Sequence, residues 1–346
     1  MAKGRGVETS QAAGGPARHV PVLLKEVLDA LDVREGGLYL DGTFGAGGYT
    51  QAILETPGAR VLAFDRDPDA IAAGQALVEQ YEGRLMLEHG QFSTCVAVAE
   101  RRGLSAFDGA TFDIGVSSMQ LDEAARGFSF RFEGPLDMRM SQQGRSAADI
   151  VNTASEQDIA DILYHYGEER ASRRIARAIV NDRVAKPYTT TRELAELIGR
   201  IIPARPQDIN PATRSFQGLR IAVNDELGEL VQALAGSEQL LAEGGRLAVV
   251  SFHSLEDRIV KHFLSLRSGR GKARSRLLPG EPVPPPSTFM LEGKQPVTAG
   301  SAETIQNPRA RSARLRAAVR TDVAPLGVDP ALIALASLPM HQTKGR

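Results

Sequence analysis

The chain has 346 residues, of which 42% are apolar and 24% are charged. This balance excludes wholesale disorder, because enough apolar side chains are available to form a core. Basic and acidic residues number 41 and 42, so any anion-binding surface must be a local patch. Cys95 is the single cysteine, which excludes an intrachain disulfide and a cysteine zinc cluster and favours a reducing, cytoplasmic compartment. The six histidines show no metal-ligand spacing, so no metal is expected.

The chain shows no export or membrane-spanning signal. Residues 1–18 contain basic residues but no apolar segment, so we expect a disordered leader rather than a secretory signal. No apolar run reaches about eighteen residues, the length that a transmembrane helix needs. We therefore expect no membrane partner.

Five short apolar runs predict strands that alternate with helices. The first four follow one another at about the spacing of a β-α repeat, which favours a parallel α/β sheet of the Rossmann-like type. The runs are Leu38–Asp41, Arg60–Asp65, Arg84–His89, Ala110–Val116 and Arg246–Phe252.

The gap between the fourth and fifth runs is roughly a hundred residues longer than one crossover needs. Its patterns are helical. Ser155 is a candidate N-cap, Thr190 and Glu193 fit a capping box, and Glu168–Asp182 places its apolar residues on one side. The surplus therefore predicts an inserted helical subdomain.

The organisation of the whole chain follows from this gap. We predict a discontinuous α/β domain over residues 19–136 and 213–322, a helical insert over 137–212, and a tail over 323–346.

The segments that follow the insert contain three kinds of signal. A helix over Asp225–Glu243 is predicted to end at a Gly-Gly pair and to lead into the fifth strand. His262–Pro286 is rich in Arg, Gly and Pro and predicts a mobile loop. Two further strand-like pieces follow, at Phe289–Val297 and Ala313–Arg320.

A glycine-rich loop, Asp41–Gly48 (DGTFGAGG), follows the first strand and precedes a helix. Glycines there let a ligand lie against bare backbone, and the helix start offers free N–H groups. Asp65 ends the second strand, where a carboxylate can accept hydrogen bonds from ribose hydroxyls. Together these features predict a nucleoside-containing cofactor.

The identity of the cofactor is less tightly specified by this loop. Gly45-x-Gly47 is followed by Thr50 where a dinucleotide fingerprint has its third glycine. Asp41 precedes the loop, and an acid there suits the α-amino group of S-adenosylmethionine better than an anionic pyrophosphate. Electrostatics therefore favours S-adenosylmethionine over NAD.

The ends of the fourth and fifth strands bring more polar residues to the same edge of the sheet. Asp113 and Gln120 follow the fourth strand, and His253 follows the fifth. Ligands bind at the carboxyl ends of strands in such sheets, so these side chains are candidates for contact with cofactor or substrate.

These residues lie within longer blocks that resemble the bacterial ribosomal RNA small subunit methyltransferase H (MraW-like) family. The resemblance runs from about residue 19 to about residue 321. Its blocks include HVPVLLKEVLDAL (19–31), DGTFGAGGYT (41–50), DIGVSSMQLD (113–122), NPATRSFQGLRIAVNDEL (210–227) and GGRLAVVSFHSLEDRIVK (244–261).

The resemblance implies a class I methyltransferase with a helical substrate-recognition insert. It implies N4-methylation of a cytosine in 16S rRNA at the decoding centre of the small ribosomal subunit, with S-adenosyl-L-methionine as donor. The family has His where Tyr49 stands and Pro where Met119 stands. Carried over by motif, the cofactor contacts fall on Gly47, Gly48, Tyr49, Asp65, Phe92, Asp113 and Gln120.

Methylation of a cytosine amine requires an acceptor beside the amine, because its lone pair is delocalised into the ring. Amino-methyltransferases commonly carry Asp/Asn/Ser-Pro-Pro-aromatic after the fourth strand, and here 115–118 (GVSS) stands in that place. We hypothesise that backbone carbonyls of this segment or Ser117, with His253 opposite, orient the amine.

RNA binding needs local positive charge. Three clusters qualify, and solvated surface faces are an equally good explanation of any one of them. The clusters are Arg170, Arg173, Arg174 and Arg177; Arg267, Arg270, Lys272, Arg274 and Arg276; and Arg309, Arg311, Arg314 and Arg316.

Two other interpretations stay open. The glycine loop alone also fits an NAD-dependent Rossmann-type oxidoreductase, and the basic clusters also fit a non-catalytic RNA-binding ribosome assembly factor. The sequence does not indicate an oligomeric state.

Overall fold

A computed structural model describes residues 21–203, 210–269 and 286–339. The predicted leader, 1–18, and residues 270–285 of the predicted loop lie outside the described residues. Within the described ranges, no helix combines the length and the apolar character that a membrane crossing requires.

The described chain alternates strands and helices and then adds a helical stretch before the sheet resumes. The strands are β1 Leu38–Asp41, β2 Arg60–Asp65, β3 Leu85–His89, β4 Phe107–Asp113, β5 Leu241–Ser251, β6 Phe289–Met290, β7 Val297–Thr298 and β8 Arg314–Arg320. The helices are α1 Leu24–Leu31, α2 Gly48–Leu54, α3 Pro68–Gln80, α4 Cys95–Arg101, α5 Ser118–Asp122, α6 Ala147–Thr153, α7 Glu156–Asp161, α8 Ser172–Asp182, α9 Thr191–Ile201, α10 Ala212–Asn224, α11 Glu226–Leu240, α12 Ser254–Arg267, α13 Ser301–Gln306 and α14 Pro330–Ala336.

The sheet has the order β3-β2-β1-β4-β5-β8-β6, and β7 also pairs with β8. Strands β1 to β5 are parallel, whereas β8 is antiparallel to β5. The predicted parallel α/β sheet is therefore confirmed. The strand order reverses between β1 and β4, which is where sheets of this kind open a ligand crevice at their carboxyl edge.

Strand β4 begins and ends three residues earlier than the sequence predicted. It starts at Phe107 and leaves the sheet after Asp113. Gly115 has a φ of 117°, a backbone conformation that turns the chain and that side chains disfavour. The residues expected to extend the strand therefore form the loop above the sheet edge.

Strand β5 begins at Leu241, earlier than predicted, and α11 correspondingly ends at Leu240. The Gly-Gly pair that was expected to end this helix lies inside the strand. Gly244 has a φ of 78°, and the pairing with β4 shifts register at this point. A glycine-containing irregularity in a strand resembles a helix end when only the sequence is read.

The residues between β4 and β5 build a second hydrophobic core out of α6 to α10. Both predicted caps are confirmed: Ser155 accepts a hydrogen bond from the Asp158 amide, and Thr190 accepts one from the Glu193 amide. The helix predicted from Glu168 starts at Ser172 instead, because Glu168 is left-handed, with a φ of 52°. The core includes Leu136, Ile150, Ile159, Leu163, Ile175, Leu194, Leu197 and Leu219.

The last third of the chain also departs from the sequence prediction. The expected strand over Phe289–Val297 is two short strands, β6 and β7, on either side of a turn. His262–Arg267, expected to begin a loop, completes α12. The region that gave little signal after Asp322 contains α14, whose Leu332 is buried in the main core and whose Ala336 carbonyl accepts a hydrogen bond from Tyr166.

Candidate active site at the carboxyl edge of the sheet

The glycine loop is held in place by main-chain hydrogen bonds. The Gly45 amide donates to Asp65 Oδ2 at 2.7 Å, and the Phe44 amide donates to the Phe64 carbonyl at 2.8 Å. Gly45 and Gly47 have φ values of 53° and 78°, which only glycine adopts without strain. The fold therefore specifies the conformation of this loop without a ligand.

Space around the loop also requires glycine. A Cβ on Gly47 would lie 2.9 Å from the Phe44 ring, and one on Gly48 would lie 2.2 Å from Pro21 Cγ. Because these neighbours are ring atoms packed in the fold, a larger residue would displace the loop. The two predicted cofactor-binding glycines thus have a close-packing role as well.

Asp65 lies at the end of β2, and each of its carboxylate oxygens accepts one hydrogen bond. Its Oδ1 accepts from the Asp67 amide at 2.8 Å, and its Oδ2 accepts from the Gly45 amide. Burial raises the pKa of this half-buried carboxyl to about 6. Each oxygen keeps lone-pair capacity, so Asp65 can still accept hydrogen bonds from a diol.

Asp41 does not face the cleft as expected. It is fully buried, and its oxygens accept from the Thr43 amide at 3.0 Å and from the Thr50 hydroxyl at 2.6 Å. Thr50, which stands where a dinucleotide fingerprint has glycine, therefore holds the Asp41 carboxylate in place. The assignment of Asp41 to a cofactor amino group is corrected to a structural role.

Tyr49 points into the protein rather than into the cleft. Its hydroxyl donates to the Val22 carbonyl, and burial raises its pKa well above the usual range. A cofactor contact at this position is therefore limited to the main chain.

A cleft of about 600 Å³ opens at the ends of β2 and β3. Its lining includes Phe64, Arg66, Gly90 and Gln91, with Ser141 and Gln143 reaching it from the segment after β4. Phe92 follows β3 and packs edge-on against Phe112, with ring centroids 5.7 Å apart. The cleft is large enough for a nucleoside and adjoins Asp65.

Asp113 ends β4 beside the glycine loop. Its amide donates to Thr43 Oγ1 at 2.7 Å, whereas its buried Oδ1 has no hydrogen-bond partner among the described residues. Burial, with Asp41 and Glu256 as anionic neighbours, raises the pKa of Asp113 well above its usual range. This carboxyl is the least compensated of the predicted site residues.

Ser117 and Gln120 form a capping box at the start of α5. The Ser117 hydroxyl accepts from the Gln120 amide, and the Gln120 side chain accepts from the Ser117 amide, both at 3.1 Å. The Gln120 amide group also donates to Asp67 Oδ2 at 2.7 Å. Gln120 therefore acts on the site by holding neighbouring elements together, and Met119 beside it is exposed.

The sequence did not reveal the contacts that join the segment after β2 to the segment after β4. Arg126, almost fully buried, donates to Asp67 Oδ2 at 2.7 Å and to the carbonyls of Arg139 and Met140. The Asp67-Pro68 pair at the start of α3 is a detectable N-cap signal, but nothing local to Arg126 reveals its partner.

His253 caps α12 and lies in a buried charge cluster. Its Nε2 is 2.9 Å from Glu256 Oε1, and its Nδ1 accepts from the Glu256 amide at 3.5 Å. Nearby, Arg220 Nε donates to Glu226 Oε1 at 2.8 Å. Glu256 stays ionised despite full burial, because His253 and Arg220 lower its pKa.

This cluster is the described group with the geometry nearest to a metal centre. Glu226, His253 and Glu256 bring ligand atoms within 4.8 Å of one another. Because Nδ1 accepts an amide hydrogen, the neutral ring carries its proton on Nε2, so a hydrogen rather than a lone pair faces Glu256. With Arg220 added, the geometry favours an ion-paired cluster over a cation site.

The basic cluster on the insert is available to a polyanion. All four of its arginines are exposed, and Arg177 lies 3.3 Å from Glu156. The cluster comprises Arg170, Arg173, Arg174 and Arg177.

The other two basic clusters are partly used inside the fold. Arg314 and Arg316 both pair with Asp257, at 2.9 and 2.7 Å. Arg267 is buried and pairs with Glu238 at 2.8 Å, so its assignment to an RNA-binding loop is corrected. Arg270, Lys272, Arg274 and Arg276 lie outside the described residues.

A β3-β2-β1-β4-β5 sheet completed by an antiparallel strand, with a glycine loop after β1 and an acid ending β2, defines a class I methyltransferase. The model of the MraW methylase family matches residues 16–321. The chain therefore belongs to the MraW methylase family.

Individual relatives match over nearly the whole chain. It is 65% identical to Ribosomal RNA small subunit methyltransferase H of Methylocella silvestris, with all of both chains covered. It is also 65% identical to the Beijerinckia indica protein of that name, covering 98% of this chain and 96% of that one. An rRNA methylase structure from Streptococcus thermophilus is 11% identical, with a TM-score of 0.38 over 86% of this chain and 94% of that one.

Proposed function

We propose that this protein transfers the methyl group of S-adenosylmethionine to the N4 amine of a cytosine in 16S rRNA, at the decoding centre of the small ribosomal subunit. The observation that carries the proposal is a preformed glycine loop fixed by Asp65, in a chain that matches rRNA methyltransferases H along its length. The reaction takes place in the cytoplasm, where ribosomal subunits are assembled.

The order of the strands sets the direction of the cofactor. The cleft at the ends of β2 and β3, near Phe92, would hold its adenosine end, and Asp65 would accept hydrogen bonds from its ribose hydroxyls. The backbone of Gly47, Gly48 and Tyr49 would hold its methionine end, beside Asp113, whose amide donates to Thr43 of the same loop. Gln120 supports this arrangement by holding Asp67.

The acceptor amine is placed beside the ends of β4 and β5. The bound donor would supply an activated methyl group for in-line transfer to N4, and the amine would give up one proton to solvent water. The Ser117 hydroxyl oxygen accepts the Gln120 amide hydrogen and keeps a second lone pair, which can accept a hydrogen bond from the cytosine amine. His253 lies across the edge and fixes the opposite wall.

The insert over residues 137–212 supplies the RNA-binding surface. Its exposed arginines on and next to α8 can contact phosphates, while the target base leaves its stack to reach the cleft. Arg126 and Asn224 hold this part of the chain against the methyltransferase sheet, since both bond to the segment after β4.

The decisive experiment supplies the purified protein with S-adenosylmethionine and small subunits from a strain that lacks it. Mass spectrometry of 16S rRNA nucleosides should show one new N4-methylcytidine. A methyl group on another atom would overturn the N4 assignment. Cofactor binding without any methylation would favour the non-catalytic assembly factor, and tight binding of NAD in place of S-adenosylhomocysteine would favour the oxidoreductase.

The roles of Ser117 and His253 need a separate measurement. Ser117→Ala and His253→Asn should each lower kcat and leave the Kd for S-adenosylhomocysteine unchanged, because asparagine preserves a helix cap. Ser155→Ala, which removes an equivalent cap in the insert, is the matched control. Near-normal turnover of both site variants would remove these residues from the mechanism.

A further inference from the structure

Two aromatic rings lie next to each other on the surface of the helical insert. Tyr164 is 56% exposed, and its ring meets the ring of His165 edge to face, with centroids 5.0 Å apart. An edge-to-face pair leaves at least one face of each ring uncovered by its partner. Single exposed aromatic side chains are common, so the position of this pair in the fold decides its meaning.

The pair lies at the closed end of a helical hairpin. The first arm of the hairpin is α7 continued by a π-helical turn over Ile162–Tyr166, and the second arm is α8. Glu156 at the start of the first arm lies 3.3 Å from Arg177 in the second half of α8, so the arms are antiparallel. Tyr164 therefore lies at the same end of the hairpin as the first turn of α8. A π-helical turn is rare and is found frequently at functional sites.

Positive charge is concentrated at this end of the hairpin. Three arginines lie there, and all are exposed. None of the three pairs with an acid among the described residues, whereas Arg177 farther along α8 pairs with Glu156. Rings that stack on bases, next to arginines that contact phosphates, are the combination that binds single-stranded nucleic acid. The three arginines are Arg170, Arg173 and Arg174.

The closed end of the hairpin is fixed beside the carboxyl edge of the sheet. Glu168 accepts hydrogen bonds from the Ser254 hydroxyl and, at 3.3 Å, from the Arg258 guanidinium. Both donors belong to the start of α12, which follows His253 directly. Glu168 makes these contacts from a left-handed backbone, with a φ of 52°, which is disfavoured for a residue that has a side chain. The fold therefore holds the aromatic pair, which comes just before Glu168, near the end of β5.

We propose that Tyr164 and His165 form a stacking platform for a nucleotide of 16S rRNA that flanks the target cytosine. The inference rests on the proposed function and adds an RNA contact to it. When the target base leaves its stack, the neighbouring base loses a stacking partner. The platform takes the place of that partner, while the arginines beside it contact the adjoining phosphates. Binding therefore favours RNA in which the target base has already been extruded.

The test measures how tightly the purified full-length protein binds small ribosomal subunits from a strain that lacks it, by filter binding. Tyr164→Ala should raise the Kd for subunits about tenfold, because the stacking of one base is lost. Tyr164→Phe should keep this Kd within about twofold, because phenylalanine retains the face of the ring. The Kd for S-adenosylhomocysteine and the thermal melting temperature should be unchanged in both variants, since the side chain is exposed.

The dependence of binding on salt separates stacking from charge. Arg173→Ala should reduce the slope of log Kd against log salt by about one, because one phosphate contact is lost. Tyr164→Ala should leave that slope unchanged, because stacking releases no counterion. Val184→Ala is the matched control, since Val184 is 85% exposed and follows the end of α8, at the opposite end of the hairpin. This control should bind subunits as tightly as the unaltered protein does.

Three results would overturn the inference. The first is subunit binding by Tyr164→Ala that is as tight as that of the unaltered protein. The second is binding by Tyr164→Phe that is as weak as that of Tyr164→Ala, since the hydroxyl rather than the ring would then make the contact. The third is an equal loss of affinity in Val184→Ala.

The proposed function can fail separately from this inference. Subunit binding without methylation would contradict the proposed reaction alone, and the comparison of the two Tyr164 variants would still decide whether the platform exists. No binding of subunits by the unaltered protein would overturn both.

Discussion

The two sides of the carboxyl edge differ in how their acids are compensated. On the β1–β2 side, Asp41 and Asp65 accept four hydrogen bonds from the glycine loop, its helix and the next turn. On the β4–β5 side, Asp113 keeps an oxygen without a partner, and Glu256 shares a buried cluster with His253. The described fold therefore supplies hydrogen-bond donors to both acids of the first side but leaves Asp113 Oδ1 on the second side without one.

The largest effect is expected from breaking the contact that joins the two sides. Asp67 is buried and accepts from both Gln120 and Arg126. Asp67→Ala leaves the Arg126 guanidinium buried without its main partner, which should cost about 3–5 kcal/mol of unfolding free energy. Urea denaturation followed by circular dichroism measures this loss.

Asp69→Ala is the matched control for that substitution. Asp69 also contacts Arg126, at 3.2 Å, but its side chain is 64% exposed. Its removal should cost less than about 1 kcal/mol. Equal losses in the two variants would mean that burial of the Asp67 contact is unimportant.

The second prediction concerns the preformed side. Asp65→Asn removes the carboxylate charge that accepts the Gly45 amide hydrogen and that we propose accepts the ribose hydroxyls. We expect the Kd for S-adenosylhomocysteine to rise about 10- to 100-fold, as for the loss of charge-assisted hydrogen bonds. Asp113→Asn should leave this neutral ligand almost unaffected. Calorimetry that found the two variants equally impaired would erase the distinction between the sides.

The third prediction follows from the pKa of Asp65, which burial raises to about 6. The ionised form is the better acceptor, so affinity for S-adenosylhomocysteine should fall about tenfold between roughly pH 7 and pH 5. Asp65→Asn should flatten this dependence of affinity on pH. The neighbouring acids Asp67 and Asp41 are unchanged in the variant, so they act equally in both proteins. A profile that stayed steep in the variant would assign the titration to another group.

The same shift has an opposite sign for stability of the free protein. A carboxyl whose pKa is higher in the folded state binds more protons in that state than in the unfolded state. This holds at pH values between its ordinary pKa of about 3.9 and its raised pKa of about 6. The contribution of Asp65 to stability is therefore present at low pH and is lost as pH rises through about 6. Ligand binding and folding thus respond to this group in opposite directions.

The smallest effect is expected at Ser117. Ser117→Ala removes the N-cap of α5 and should cost about 1 kcal/mol in thermal or urea unfolding. Ser155→Ala should cost a similar amount at α7. A much larger loss of unfolding free energy for Ser117→Ala than for Ser155→Ala would show that α5 stabilises the rest of the β4–β5 side as well.

Patterns that are local in the sequence predicted the fold well. The first three strands and both caps of the insert each depend on residues within one turn or one strand. The glycine loop and Asp65 were likewise found because each follows a recognisable strand. Their mutual hydrogen bond is the contact that such patterns imply.

Contacts between distant segments could not be predicted in this way. Arg314 and Arg316 looked like a basic surface, yet they pair with Asp257 on α12, more than fifty residues earlier. Asp41 looked like a ligand contact, yet Thr50 and Thr43 use both of its oxygens. A charged side chain shows its type in the sequence but not its partner, and the partner decides whether it is available.

The position of β8 has a consequence for how the chain matures as it is synthesised. This strand follows all the other described strands in the sequence, yet it lies between β5 and β6 and pairs with the free edge of β5. Before residue 320 has left the ribosomal exit tunnel, β5 presents an unpaired strand edge, which is prone to pairing with other chains. The protein thus cannot complete its central sheet until β8 has been translated, and the nascent chain exposes this edge of β5 until then.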